Sequence, residues 1–344
     1  MKRTLPSLNG SDLISPVFFS FRHHLWIFIG QINMNTMSSD HHPKTPRILY
    51  HYATAEGLLS MLGSGHLWAT DAAFMNDPQE LRYGFDLLAE VASRQKNLQR
   101  TNLLKDLLRR INDVIQEKTS SGRVYVVSFC QNGDLLSQWR AYGAFGGGYA
   151  VGLKTACLSG PRLQESEPAR VLRPVIYGRD KQVRMLKGWL KTFVESGHLP
   201  GGRVDYADLL TLFSDYLVTF KSPSYREEQE WRLIQFGRYV GSTKRRLTEG
   251  EVIWPTCFRV RKGQILPYVD LDLTGSSGRL HGKLPVNEIV CGPTIRRELG
   301  IKALSQLCDS LGFDCSLAGE ASRVVRTGRP LLLLRLSAAP FVGG

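Results

Sequence analysis

Lys221–Phe236 reads KSPSYREEQEWRLIQF, and the fold turns on how its second half is taken. Glu230-Trp231-Arg232-Leu233 alternates polar and apolar, the period-2 pattern of a strand with one face in a core. As a strand, Glu228 to Ile234 puts Glu228, Glu230 and Arg232 on one face and Trp231 and Leu233 on the other. Two carboxylates beside a guanidinium form either an ion-pair ladder on a solvated face or the lining of a cleft. In a cleft, the arginine keeps a carboxylate ionised to face positive charge in a substrate.

Working outward, ILYHYAT from Ile48 predicts a strand, AEGLLSMLGSG a short helix closed by Gly63 and Gly65, and HLWAT a second strand. Apolar residues at helical spacing run from about Leu81 to Glu117, with a break near Asn97. RVYVVSFC is a strand, and DLLSQWRAYGAFGGGYAVGL is a turn or short helix, a glycine-rich loop and another strand. RPVIYG, GQILPYVDLDL and VNEIVCGP add strands, residues 181–220 are helical with an interruption at 196–202, and Ile301–Leu311 is a helix stopped by Gly312. Helices and strands mix without regular βαβ alternation. The fold class is therefore α+β, with helices packed around the sheet.

The chain has 344 residues, 42% hydrophobic and 22% charged, which excludes wholesale disorder. Its net charge is +13, of which +2 falls on residues 1–46 and +11 on the body. That excess suits an anionic partner such as nucleic acid, reached through a basic face that includes Lys244-Arg245-Arg246. Six cysteines, none in a C-x-x-C pair, read as free thiols in a reducing cytoplasm. No metal is expected: Asp77, Glu80, Glu228 and Glu230 lack any known ligand spacing.

Residues 1–46 read as a disordered extension, with Met34 and Met37 as alternative starts, 47–330 as one α+β domain, and 331–344 as a tail or terminal strand. The apolar run SPVFFSFRHHLWIFIG is broken by Arg22, His23 and His24, so no membrane span is expected. The sequence leaves the oligomeric state open.

Candidate chemistry sits in four clusters. His51 and Tyr52 lie on an apolar strand, where a histidine must be exposed or hydrogen-bonded. Phe74-Met75-Asn76-Asp77-Pro78 with Glu80 is a turn, or a loop in which Asn76 or Asp77 orients a ligand. Ser137–Gly143 runs into Gly146-Gly147-Gly148-Tyr149, a glycine loop with aromatic neighbours but without the lysine of a P-loop. The carboxylate strand is the fourth.

Together LYHYAT–GHLWAT–FMNDPQE, VSFC–LSQWRAYG–GGYAVGL, YREEQEWRLI, VNEIVCGP and SRVVR (322–326) resemble, in order, a bacterial family catalogued as domain of unknown function 2971. More remotely, the order resembles that of ADP-ribosyltransferases of the diphtheria-toxin type. That resemblance implies a split, mixed or antiparallel sheet and NAD as co-substrate. It implies that His51 bonds the adenosine-side ribose and that Tyr142 or Tyr149 stacks on nicotinamide. Glu230, with Glu228, would stabilise the oxocarbenium-like transition state as nicotinamide leaves. Tyr52, Thr54, Ser128, Trp139 and Arg232 complete the NAD-binding set. An enzyme of this kind acts as a transferase or glycohydrolase on a nucleic acid or protein, as toxins and phage-defence effectors do. The alternative reading is a non-catalytic nucleic-acid or nucleotide-binding module.

Overall fold

The computed structural model describes residues 44–75, 78–94, 109, 123–158, 170–195, 217–237, 256–261, 263–274, 283–318 and 329–339. Asn76, Asp77, most of the 95–117 stretch, Lys244–Arg246 and the SRVVR segment lie outside the described residues, as does the side chain of Glu80.

Among the described residues eleven strands share one sheet: β1 (Ile48–Ala53), β2 (His66–Asp71), β3 (Arg123–Cys130), β4 (Tyr149–Lys154), β5 (Arg170–Pro174), β6 (Glu230–Gly237), β7 (Cys257–Arg261), β8 (Gln264–Asp272), β9 (Val286–Cys291), β10 (Asp314–Leu317) and β11 (Leu331–Leu336). Among the described residues five helices accompany them: α1 (Ala55–Ser64), α2 (Pro78–Ser93), α3 (Leu136–Tyr142), α4 (Arg179–Glu195) and α5 (Arg297–Ser310). The order β10-β11-β9-β4-β1-β3-β2-β8-β7 is antiparallel except for the parallel trio β10, β11 and β9, with β6 and then β5 joined to β3. The α+β expectation with a mostly antiparallel sheet and packed helices therefore holds.

The sheet forks at β3. One edge pairs along its whole length with β6, from Arg123↔Gly237 to Cys130↔Glu230. The other edge takes β2 at Thr70↔Val126 and Asp71↔Tyr125, then β1 at Tyr50↔Cys130. Between those two pairings Val127–Phe129 have no strand partner on that edge among the described residues. The neighbours β1 and β2 thus take different parts of the same edge of β3.

The main core lies on one face, where Leu49, Phe129, Trp231, Leu233 and Val269 meet Leu58, Met61 and Leu62 of α1 and Leu304 and Cys308 of α5. On the opposite face Val124, Val126 and Ile234 pack with Ala72 and Val218. Both faces of β6 are covered, so Leu233 and Ile234 are equally buried.

Several boundaries differ from the periodicity. The RPVIYG strand starts earlier, at Arg170, because β6 offers β5 a free edge from Gln235 to Trp231. Helix α5 starts at Arg297 rather than Ile301; its first turn carries an exposed Leu299 and adds nothing to the apolar pattern. Gly63 lies within α1, and Gly65, at φ 76°, closes it by donating to the Met61 carbonyl. The terminal run is strand β11, inserted between β9 and β10.

Candidate functional site

The predicted strand from Glu228 begins only at Glu230. Pro223–Glu228 is a 3₁₀ segment, and Gln229 sits at φ 43°, ψ 47° between it and β6. That left-handed residue breaks the alternation, so Glu228 does not lie on the strand. The tertiary structure still brings it to Glu230, through a residue the sequence did not single out. Lys221 Nζ lies 2.6 Å from Glu228 Oε2 and 3.0 Å from Glu230 Oε2. From the other side Arg232 Nε reaches Glu230 Oε1 at 2.7 Å and Nη2 reaches Oε2 at 3.0 Å, while Nη1 donates to the Val218 carbonyl. The Ser128 hydroxyl adds another bond to the Glu230 carboxylate.

This is a buried alternating network, not a solvated ladder: Arg232 is 1% exposed, and Glu230 and Lys221 are also buried. Burial alone would raise the Glu230 pKa, but Arg232 and Lys221 outweigh it and hold the carboxyl at about 2. Glu228 is the more open carboxylate, its side chain 17% exposed against 7% for Glu230. Tyr225 covers the cluster, with Lys221 Nζ 4.8 Å from its ring centre.

His51 fills the fork. Its Nδ1 is 2.9 Å from the Ser128 carbonyl, in the stretch of β3 that lacks a strand partner. A carbonyl only accepts, so Nδ1 carries the proton and Nε2 keeps the lone pair. Burial lowers the pKa of His51 to about 4, the Ser128 carbonyl opposes the shift, and the charges of Arg259 and Arg261 add to it. The imidazole is therefore neutral near pH 7. His51, Ser128 and Glu230, on β1, β3 and β6, form one connected line.

The shift has a consequence for stability. Between pH 6.5 and 4 the unfolded chain binds the His51 proton and the folded one does not. Stability from this group is full above 6.5 and lost as pH falls through that window, by at most on the order of 3 kcal/mol. Urea midpoints measured from pH 7.5 to 4 are expected to decline less steeply in His51→Asn. An identical decline would mean that His51 titrates normally in the folded protein.

Other candidates have structural partners. Trp139 is fully buried, meets Tyr52 edge-on at 4.7 Å and donates from Nε1 to Asp134 Oδ1 at 2.8 Å. The ring and the Nε1 donor of this residue, one of the NAD-binding set, are thus both engaged within the protein. Tyr52 is buried too; its hydroxyl donates to the Asn132 carbonyl and accepts from Leu135 N, both at 2.9 Å. Thr54 is the exposed N-cap of α1, accepting from Gly57 N at 3.3 Å. Tyr149, half-buried on β4, packs against the main core, whereas Tyr142 at the end of α3 has Arg261 Cζ 5.8 Å from its ring centre.

The glycine loop does not cradle a phosphate through its amides. Gly146 and Gly148 N donate to the Gly143 carbonyl, and Gly147 N donates to that of Ala144. Glycine is required because a Cβ at Gly148 would run into the Ala53 carbonyl, and one at Gly292 into that of Gly146.

Arg259 and Arg261 escaped the sequence reading. They lie in the short basic stretch Arg259-Val260-Arg261-Lys262, and the pairing of β7 with β8 brings them within electrostatic reach of His51. Among the described residues no group of three or more His, Cys, Asp or Glu is placed to hold a metal ion, and no helix is long and apolar enough to cross a membrane. All six cysteines are free.

Residues 138–233 match a family described as protein of unknown function (DUF2971). The match runs from Gln138 within the SQWRAYG motif to Leu233 of β6, and so supports the family resemblance over the glycine loop and the carboxylate cluster. No curated protein and no solved structure matches the chain, so the comparisons lend nothing to the ADP-ribosyltransferase likeness.

Proposed function

We propose that this protein consumes NAD, releasing nicotinamide at the fork of the sheet and passing ADP-ribose to water, a nucleic acid or a protein. One observation supports this most: the neutral His51, its Nε2 a hydrogen-bond acceptor, connects through Ser128 to a carboxylate cluster fixed in the ionised state. An acceptor nitrogen suits a ribose hydroxyl. A preorganised carboxylate suits the cation that develops at the ribose carbon as nicotinamide leaves. No covalent nucleophile is needed.

The roles divide by geometry. Glu230, both oxygens engaged by Arg232 and Lys221, is a positioning residue. Glu228, more open and held by the same lysine, is the carboxylate we assign to the reacting ribose.

Incubating the purified chain with NAD, with and without added RNA or DNA, is expected to release nicotinamide. Glu228→Gln is expected to lower the rate about 100-fold or more with the fold retained, the scale of losing one preorganised electrostatic group. No release from folded protein under any of these conditions overturns the reading and leaves a non-catalytic nucleotide-binding module.

A further inference from the structure

Strand β7 is the last strand of the sheet beyond β8, and its alternate residues Arg259 and Arg261 share a face while Phe258 and Val260 point the other way, 65% and 75% exposed. Arg259 lies across two aromatic rings, its Cζ 5.3 Å from the centre of Trp68 and 5.7 Å from that of Tyr268. Its Nη2 donates to Thr70 Oγ1 at 2.6 Å, but its Nε is buried with no acceptor. Arg261 is placed over Tyr142.

Among the described residues no carboxylate pairs with either guanidinium. The carboxylates on that face of β8 are turned to a histidine instead: Asp270 Oδ2 is 2.8 Å from His66 Nδ1, and Asp272 Oδ1 is 3.8 Å from His66 Nε2. Burial disfavours the charge on Arg259, and the neighbouring Arg261 disfavours it further. Two cations side by side, one with a buried donor unsatisfied, are completed by an anion with several acceptor oxygens.

We propose that Arg259 and Arg261 bind the pyrophosphate of a dinucleotide, one guanidinium to each phosphate. This deepens the NAD reading and rests on it for the identity of the dinucleotide. The two residues are about 7 Å apart along the strand, so long side chains converge readily on linked phosphates. The planar guanidinium presents paired donors that match phosphate oxygens, and the aromatic rings beneath hold that plane in place. Both arginines act electrostatically on His51, so the phosphates would lie beside the acceptor assigned to the adenosine-side ribose.

The test is titration calorimetry on the full chain with ADP-ribose, inorganic pyrophosphate, nicotinamide riboside and a single-stranded RNA oligonucleotide. The proteins compared are the native sequence, Arg259→Gln, Arg261→Gln and the double variant. Each single change is expected to weaken ADP-ribose about tenfold, the loss of one charged hydrogen-bonding pair, and the double change to abolish pyrophosphate binding. The riboside, which has no phosphate, should be unaffected. Arg261→Gln, on the side chain without a hydrogen bond to β2, keeps the test valid if Arg259→Gln fails to fold.

Unchanged ADP-ribose affinity in folded Arg261→Gln overturns the proposal. So does a loss confined to RNA, which would make the pair a nucleic-acid contact. Arginine-dependent binding of ADP-ribose without nicotinamide release would sink the NAD-cleaving reading and leave this site standing.

Discussion

Glu230→Gln is expected to destabilise the protein by about 3–5 kcal/mol at pH 7, the usual range for removing one partner of a buried ion pair. The loss comes from what stays behind. Arg232, with its side chain 1% exposed, and Lys221, 4% exposed, both lose the Glu230 charge that they pair with. Glutamine preserves the shape but cannot neutralise two buried cations.

The effect also has a pH signature. The folded Glu230 carboxyl is held at about 2, below the ordinary value of 4.5. The stability it contributes is therefore full above pH 4.5 and lost as pH falls toward 2. Urea denaturation at pH 7 and pH 3 should show the native protein losing stability over that interval and the variant losing less. Glu230→Leu combined with Arg232→Met should recover much of the loss, because replacing both charges removes the stranded cation. Equal midpoints for the native protein and Glu230→Gln at pH 7 would contradict a buried, ionised Glu230. Since the variant perturbs folding, its nicotinamide release is informative only in protein shown to be folded, and Glu228→Gln carries the catalytic test.

Trp139→Ala is expected to cost about 3–5 kcal/mol, as large-to-small changes at fully buried aromatic positions do. The indole packs with Tyr52, Cys130, Ala150 and Val290, joining α3 to the sheet beside the glycine loop. Its Nε1 also holds Asp134, which accepts from Ser337 Oγ and, at 2.7 Å, from Ala338 N just beyond β11. The alanine variant therefore opens a cavity and loosens the link between α3 and the chain end. Trp139→Phe, keeping most of the packing and losing the hydrogen bond, should lie between them. Thermal or urea unfolding of the three proteins checks this order. A Trp139→Ala protein as stable as the native one would return Trp139 to the surface, available to a ligand.

The histidine, carboxylate and tryptophan positions show how far residues reveal their use. His51 stood out because an imidazole in an apolar strand needs a partner. The partner proved to be a backbone carbonyl, and a backbone group leaves no mark in a sequence. Glu230 and Arg232 were placed together correctly by strand alternation. Lys221 was missed because it lies before a proline-containing turn, nine residues from Glu230, and only the chain's path returns it. Trp139 looked like a ligand platform because it neighbours arginine, tyrosine and glycines. Its burial depends on Tyr52 and Val290, distant in sequence.

By itself the sequence determined most of the strands and helices, though not β7 or β10, together with the apolar face of β6 and the α+β class, because those follow from local periodicity and from glycine and proline stops. Tertiary structure alone decided the fork at β3, the Lys221–Glu228–Glu230–Arg232 network and the placing of Arg259 and Arg261 within electrostatic reach of His51. Each of these depends on which strand edges pair, and residues far apart in the chain reach one another only once that pairing is made.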